Sequence, residues 1–215
     1  MAVIDGSTLP FGFSIGVRSS TPPIRVDDAR FGTRRILVRG TAFIGGKAYT
    51  GEIVYFGRFK YSGNDVSGKI TRADLFPDDG GVFQLKKIDL SVDDIIKKSA
   101  WAVEKQILAG KDKIIGSKST DILKGLGGDD TLIGGGGTNR LTGGAGVDTF
   151  VLSNKGIQVI TDFDVREDRI NLPGPVSGYG EYEWFRKGGD SFIAKSNNII
   201  GKFLGGPNLD NATFV

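Results

Sequence analysis

Hydrophobic and polar positions over residues 34–91 follow the pattern of short β-strands. Apolar, β-branched and aromatic residues dominate four segments, and Gly, Pro, Asn and Asp separate them. The predicted strands are Arg35–Phe43, Ala48–Lys60, Val66–Phe76 and Val82–Leu90. Such short connections predict an antiparallel meander of hairpins. We expect residues 1–33 to be irregular, with Asp27-Asp28 in a turn.

After the predicted strands, the hydrophobic period lengthens to that of a helix. Ser91 followed by Asp94 is typical of a capping box. Apolar residues then recur at helical spacing, at Ile96, Ala100, Val103 and Ile107. The pattern predicts one amphipathic helix over 92–108. We expect it to cover the end of the unit that follows, with Trp101 packing there rather than serving as a ligand platform.

From residue 110 the hydrophobic period becomes nine residues. Twelve of the 37 residues over 110–146 are glycine, a composition that by itself fits a flexible linker. A polar residue nevertheless returns at every ninth position, at Asp112, Asp121, Asp130, Asn139 and Asp148. An apolar residue follows two positions later, at Ile114, Leu123, Leu132, Leu141 and Phe150. Two registers that repeat together predict a structural repeat rather than a linker.

The nonads follow the pattern G-G-x-G-x-D-x-U-x, where U is a large apolar residue. Residues 143–151 match every specified position, and residues 125–133 depart only at Leu126. The pattern resembles the RTX, or haemolysin-type, calcium-binding repeat. This resemblance implies a right-handed parallel β-roll with two nonads per coil, so that successive turns lie on opposite edges. Asp112, Asp130 and Asp148 would stack on one edge, and Asp121 and Asn139 on the other.

The segments after the nonads extend the resemblance. Residues 159–172 resemble the D-F-x-x-G-x-D-x-I-D-L segment of the serralysin-type C-terminal module, with Arg166 in place of a glycine. The resemblance implies that Asp162 and Asp168, and less directly Asp164, close the last calcium sites; ordinary turn acids are the alternative. Residues 189–204 resemble the closing hairpin of that module. Residues 209–215, acidic and then hydrophobic, resemble a type I secretion signal.

The amino-acid composition excludes several classes of functional site. The chain has 215 residues without Cys or His, which excludes disulfides, thiol or imidazole catalysis and zinc sites of the Cys and His type. Ser14 lies in a G-x-S-x-G pattern but has no histidine base, so we expect no enzyme activity. Of the 25 acidic residues, 20 are Asp, which suits calcium loops. The net charge of +3 fits a solvated basic surface or an anionic partner.

Together these patterns predict a mainly β protein with Ca²⁺ as its cofactor. The predicted parts are a β-rich N-terminal domain at 1–91, a capping helix at 92–109, an RTX β-roll at 110–172, and a closing β-segment with a secretion signal at 173–215. The resemblance implies metal-site residues Asp112, Gly125, Gly127, Gly128, Asp130, Gly143, Ala145, Gly146, Asp148, Asp121, Asp162 and Asp168. Since Asn139 replaces a carboxylate and Lys118 and Arg140 lie close by, we expect weaker binding or none on the edge of Asp121.

The functional expectation is a secreted, non-catalytic protein that folds on binding Ca²⁺ outside the cell. Residues 1–18 lack the features of a signal peptide, and no segment is apolar enough to span a membrane, so we expect export by type I secretion machinery. One alternative is a carbohydrate-binding module, resembling an R-module, that holds an acidic polysaccharide. Its candidate contacts are Lys113, Lys124, Arg140, Tyr179, Tyr182 and Trp184. A surface-layer or adhesion component is another alternative; nucleic acid is not an expected partner.

Overall fold

The strands of the protein form two sheets that share one long hydrophobic core. The structure is a computed structural model that describes residues 3–5, 24–31, 33–44, 47–62, 65–78, 83–174 and 181–215. The described strands make one sheet of 11 strands and one sheet of 6 strands. The predicted mainly β class is confirmed.

The N-terminal part of the long sheet is an antiparallel meander. Its strands are β1 (Val3–Asp5), β2 (Ile24–Phe31), β3 (Arg35–Ile44), β4 (Lys47–Ser62), β5 (Asp65–Pro77) and β6 (Phe83–Ser91). The last four coincide with the four predicted strands. The irregular structure expected for residues 1–33 is wrong for β1 and β2. Asp27 and Asp28 do not form a turn, because β2 continues through them with a bulge in its pairing to β3.

Two short helices, rather than the single predicted helix, follow the meander. They are α1 (Val92–Lys97) and α2 (Ala100–Ile107). The predicted capping box is present, since Asp94 N donates to Ser91 Oγ at 3.0 Å and Ser91 N donates to Asp94 Oδ2 at 2.7 Å. The break occurs because Lys98 and Ser99 are extended and Ser99 caps α2. The helices pack on β5 and β6 of the meander, and Trp101 is half-buried.

The nonads and the segments that follow them form two stacks of parallel strands. The first stack contains β7 (Lys113–Ile115), β9 (Thr131–Ile133), β11 (Thr149–Val151), β13 (Arg169–Asn171) and β17 (Thr213–Phe214). The second contains β8 (Ile122–Gly127), β10 (Gly137–Ala145), β12 (Gly156–Ile160) and β16 (Asn198–Phe203). Lys113 pairs with Thr131, and Thr131 pairs with Thr149, so one coil takes 18 residues, as the repeat predicts.

The apolar residues of the nonads fill the space between the stacks. Ile114, Leu123, Leu132, Leu141 and Phe150 are all fully buried. Beyond the nonads the columns continue, since Ile160 pairs with Leu141 and Ile170 with Phe150 although the nine-residue period has ended. Phe163 makes edge contacts with Phe150 and Phe203, with ring centroids 6.1 and 5.1 Å apart. This core holds the turns at both edges of the roll in register.

Strand β1 joins the meander to the roll. It pairs antiparallel with β6 and parallel with β7, and Ile4 lies opposite Ile114. The first stack therefore continues into the meander through β1 rather than through the helices. The division of the chain at residues 91 and 110 stays a prediction.

The C-terminal residues close the roll. The predicted hairpin is confirmed by the antiparallel pair β15 (Asp190–Lys195) and β16, to which β14 (Tyr182–Lys187) adds a third strand. A 3₁₀ turn at Leu209–Asn211 leads into β17, which pairs with β13. Within the described part of the chain, no helix is long and apolar enough to cross a membrane.

The buried column predicts a large effect of one core substitution. Leu132→Ala should lower the free energy of unfolding by about 2–5 kcal/mol, since it removes a fully buried side chain from a close-packed column. Urea unfolding in the presence of Ca²⁺ measures the change. Ile122→Ala is the matched control, since its side chain is 37 % exposed and should lose less than about 1 kcal/mol. Equal losses would contradict the assigned column.

Candidate metal centre

Aspartates spaced by about one coil form a ladder along one edge of the roll, which we call the first edge. Asp112 N donates to Asp130 Oδ1 at 2.8 Å, Asp130 N to Asp148 Oδ1 at 2.9 Å, and Asp148 N to Asp168 Oδ1 at 3.0 Å. These four residues are at most 4 % exposed. The carboxylates of Asp130, Asp148 and Asp168 thus each accept a backbone hydrogen bond from the preceding coil. The stacking of Asp112, Asp130 and Asp148 expected from the repeat is present.

The first glycine of each nonad lies against the polar side chain at the sixth position. A Cβ on Gly125 would overlap Asp130 Oδ2, and a Cβ on Gly143 would overlap Asp148 Oδ2. Any larger residue at either position would push the carboxylate away. The repeat therefore requires glycine here because of close approach.

The second position of the nonad has a different constraint. Gly144 adopts φ +107°, a left-handed conformation that suits glycine. Leu126, its partner one coil earlier, also has a positive φ, of 76°. The single departure of residues 125–133 from the repeat pattern thus places a leucine where the backbone favours glycine.

Side-chain amides replace carboxylates on the opposite edge, which we call the second edge and define by Asp121, Asn139 and Gln158. Asp121 N donates to Asn139 Oδ1 at 2.8 Å, which continues the same ladder geometry. Asn139 Nδ2 donates to Gly136 O at 2.8 Å and to Gln158 Oε1 at 3.2 Å. Asp121 accepts hydrogen bonds from the amide and hydroxyl of Ser117 at 2.7–3.1 Å. Hydrogen-bond donors of the protein therefore satisfy the side-chain oxygens of this edge.

The first edge contains carboxylates with raised pKa values. Burial raises the pKa of Asp130 to about 7 and that of Asp148 to about 6, and nearby carboxylates add to both shifts while backbone hydrogen bonds oppose them. Burial also raises the pKa of Asp168. Asp130 Oδ2 is buried and has no hydrogen-bond partner. A divalent cation would reduce the repulsion between the carboxylates and would coordinate the oxygen that lacks a hydrogen bond.

The acids after the nonads also reach the first edge. Asp162 accepts hydrogen bonds from Gly143 N at 3.0 Å and Gly144 N at 2.9 Å. Asp168 ends the ladder, and its Oδ2 accepts from Asp164 N at 2.9 Å. Asp164 itself accepts from Arg166 N at 2.9 Å within its own turn. Asp162 and Asp168 thus lie beside the candidate ligands, whereas Asp164 supports the loop.

The donor set fits calcium only if backbone oxygens take part. Among the described residues, no group of three His, Cys, Asp or Glu side chains is arranged to hold a metal ion. The carboxylates form a ladder, with one from each coil, instead of a cluster. Ca²⁺ takes six to eight oxygen ligands. On the first edge the backbone carbonyl of Gly143 lies beside Asp130 Oδ2, since both oxygens would overlap a Cβ on Gly125. The residues therefore fit a calcium site of mixed backbone and carboxylate ligands.

The family comparison identifies the repeats. Residues 115–150 match the model of the RTX calcium-binding nonapeptide repeat, in four copies. The array is an RTX repeat region. No curated protein matches the chain significantly.

Two solved structures are similar to parts of the chain. The AlgE6R3 subunit of the Azotobacter vinelandii mannuronan C5-epimerase is 25 % identical, with 50 % of this chain and 78 % of that chain covered and a TM-score of 0.31. The extracellular lipase LipA of Serratia marcescens is 15 % identical, with 95 % of this chain and 34 % of that chain covered and a TM-score of 0.31. The chain thus spans about a third of the lipase. Scores this low define neither the fold nor the function of this protein.

Two residues of the RTX region were absent from the predicted site. Asp129 Oδ1 accepts a hydrogen bond from Val147 N at 3.0 Å and adds a carboxylate to the first edge. Gln158 completes the amide pair on the second edge and is fully buried. The adjacent acids Asp129 and Asp130 are a signal in the sequence that could have pointed to Asp129. The sequence contains no such signal for Gln158, because it follows Asn139 by 19 residues rather than by the 18 of one coil.

The residues proposed to hold a polysaccharide do not form one surface. Lys113 lies in the first stack, whereas Lys124 and Arg140 lie in the second. Tyr182 is buried, and its hydroxyl donates to Pro173 O. Trp184 is 40 % exposed, but its Nε1 donates to Asp210 Oδ1 at 2.8 Å. Tyr179 lies outside the described residues. Lys113 is therefore separated from Lys124 and Arg140, which counts against the predicted stripe, and polysaccharide binding by the roll stays a prediction.

The raised pKa values predict how pH affects the metal-free protein. A carboxyl group whose pKa rises on folding stabilises the fold while it is protonated. The contribution of Asp130 and Asp148 is therefore complete below the unfolded pKa of 3.8 and is lost as pH rises through about 6 and 7. In chelator, a larger fraction of the protein should stay folded near pH 5 than near pH 8, measured as β signal in far-UV circular dichroism. Asp130→Asn with Asp148→Asn should flatten this dependence, and a rise between the two pH values would contradict it.

The second edge predicts a gain of metal binding. Asn139→Asp should lower stability in chelator, because the amide donor to Gly136 O is replaced by a carboxylate that faces this carbonyl and Gln158. In Ca²⁺ the variant should bind at least one more ion than the wild type. Native mass spectrometry counts the ions, and Asn211→Asp, at an exposed position, is the control. An unchanged ion count would contradict the role of the amide.

Proposed function

We propose that the RTX region, residues 110–172, binds Ca²⁺ along its first edge and folds on doing so. The buried Asp130 Oδ2, which lacks a hydrogen bond and lies among other carboxylates, is the observation that supports this best. Burial of unpaired negative charge destabilises a fold unless a proton or a bound cation neutralises the charge. Calcium is the divalent ion whose preferred ligands match carboxylate and carbonyl oxygens in flexible turns.

The proposed ligands come from neighbouring turns of the first edge. They are the carboxylates of Asp112, Asp130, Asp148, Asp162 and Asp168 and the backbone carbonyls around Gly125, Gly127, Gly128, Gly143, Ala145 and Gly146. Asp121 is a candidate only for a weaker site, since Ser117 and Asn139 already hydrogen-bond around it. A bound ion would connect two coils, because the ladder places each aspartate beside the preceding coil.

Folding and binding are coupled through the cost of ordering the turns. Fixing the backbone of each residue costs about 1–2 kcal/mol, and the glycines make this loss large in the nonads. An ion that binds only the folded roll stabilises it by about 2.7 kcal/mol at a concentration 100 times its dissociation constant. The chain would remain extended where Ca²⁺ is scarce and fold where it is abundant. Such a switch suits export before folding.

The proposed setting is outside the cell, reached through type I secretion machinery. An unfolded, calcium-free chain fits passage through a narrow export channel, and the C-terminal segment 209–215 is the proposed signal. The chain would act there as a non-catalytic calcium-binding protein, in line with a composition that lacks Cys and His. The proposed parts remain the N-terminal domain, the capping helices, the roll and the closing segment. Adhesion or surface-layer assembly stays an alternative role for the folded protein.

A calcium titration with two variants tests the proposal. Far-UV circular dichroism should gain β signal on addition of Ca²⁺ and lose it with chelator. Asp130→Ala should raise the calcium concentration at the midpoint at least tenfold, because it removes a proposed ligand. Asn139→Ala, the matched change on the second edge, should weaken the fold but leave the midpoint within about threefold. Coincident spectra with and without Ca²⁺ would contradict coupled folding.

A further inference from the structure

Strand β14 is an open edge of the six-stranded sheet. Among the described strands it pairs with β15 alone, and that pairing runs through all six residues of β14 without a bulge. Every residue from Glu183 to Lys187 is exposed. An uninterrupted edge strand presents a row of unpaired backbone groups to which a further strand can bond. The question is which strand the side chains of β14 would accept.

The hairpin turn determines which backbone groups of β14 point outward. Lys187 and Asp190 flank the two-residue turn Gly188-Gly189, whose glycines have φ of 62° and 85°. A turn of this kind makes its two flanking residues a hydrogen-bonded pair. Hydrogen-bonded pairs alternate along antiparallel strands, so the backbone N–H and C=O groups of Trp184 and Arg186 point away from β15. These are the groups that a second strand would bond.

One face of β14 is covered by the C-terminal part of the chain. Trp184 stacks on Phe214, with ring centroids 5.6 Å apart, and its Nε1 donates to Asp210 Oδ1 at 2.8 Å. Arg186 on the same face donates to Gly206 O. A partner strand therefore has to match the opposite face.

The opposite face of β14 combines an exposed aromatic ring with two charges of opposite sign. Phe185 is 40 % exposed and stacks on Phe192 of β15, with ring centroids 5.3 Å apart. Glu183 precedes Phe185 by two residues and Lys187 follows it by two, so all three side chains lie on one face. The neighbouring ion pairs, Glu181 with Lys195 and Asp190 with Lys202, involve neither of these two charges. The three residues form a symmetrical pattern about Phe185.

We propose that β14 pairs antiparallel with β14 of a second copy of this chain, about a two-fold axis at Phe185. Directly opposed residues of an antiparallel pair lie on the same face, and this register places Phe185 opposite Phe185 of the second copy. Glu183 of each copy then lies opposite Lys187 of the other, which gives two ion pairs. Trp184 lies opposite Arg186, so the outward backbone groups of both residues become hydrogen-bonded. Each feature of the edge acquires a partner.

Other registers of the same pairing lack this match. An axis at Glu183 or at Arg186 would place like charges directly opposite each other, which destabilises a sheet. An axis at Trp184 would place Lys187 opposite Glu181, whose carboxylate already pairs with Lys195 Nζ at 3.0 Å. The complementarity of β14 with itself in one register is the reason to assign a second copy as the partner. Because both copies use the same strand, the contact closes at two copies and forms no filament.

Sedimentation of the full chain in saturating Ca²⁺ tests the register. The wild type should show a concentration-dependent equilibrium between monomer and dimer. Glu183→Lys places two lysines opposite each other and should raise the dissociation constant of the dimer at least tenfold. Glu183→Lys with Lys187→Glu exchanges the two charges and should restore that constant to within about threefold. Glu52→Lys, the same change at an exposed position of the meander, should alter it less than twofold.

Cross-linking tests the position of the axis. The chain has no cysteine, so a single introduced thiol can form a disulfide only with a second copy. Phe185→Cys places two thiols at a non-hydrogen-bonded pair, where the Cβ atoms of antiparallel strands are closest. Air oxidation should convert this variant to a covalent dimer on a non-reducing gel. Ile199→Cys is the matched control, since Ile199 is 38 % exposed on β16, and it should stay largely monomeric.

The calcium dependence of folding separates this proposal from calcium binding by the roll. The calcium midpoint of each variant, followed by far-UV circular dichroism, should equal that of the wild type, because none of these residues lies at either edge of the roll. A wild type that is monomeric at every concentration would overturn the proposal. So would a dimer that Glu183→Lys leaves intact, a charge exchange that fails to restore it, or equal cross-linking of the two cysteine variants.

Discussion

Successive coils of the roll depend on one repeated hydrogen bond, from a backbone N–H to a side-chain oxygen in the next coil. In the nonads, the acceptor belongs to the sixth residue, as in Asp130 and Asp148, and the contact requires the first residue of the same nonad to be glycine. This bond aligns adjacent coils and buries a polar group at every turn. The nine-residue period follows, because the apolar residue two positions later must enter the core.

The same geometry produces opposite requirements at the two edges. Where the acceptor is a carboxylate, the second oxygen and the charge remain to be satisfied, as at Asp130 Oδ2. Where it is an amide, as in Asn139, the remaining group is a donor that closes onto Gly136 O. One edge therefore leaves a buried carboxylate oxygen without a donor, and the other edge supplies its own donors.

The repeat region could be predicted from the sequence because its signals are local and redundant. Polar residues such as Asp130 and apolar residues such as Leu132 each recur every nine residues. The length of a coil, the residues of its core and the residues of its edges can all be predicted from this recurrence. The features that were missed depend on distant partners. The three residues of β1 contain no period, yet they pair with β6 and β7. Gln158 reaches Asn139 only because one additional residue enters the chain after the last nonad.

Strand β1 determines how the two halves of the protein affect each other. It is hydrogen-bonded to the meander on one side and to the first strand of the roll on the other, in the same sheet. A roll without it would present the unpaired edge of β7, and open sheet edges favour pairing with other chains. In the folded protein β1 thus connects the first coil to β6 through backbone hydrogen bonds. Stabilisation of the first coil would therefore also stabilise the attachment of the meander to the roll.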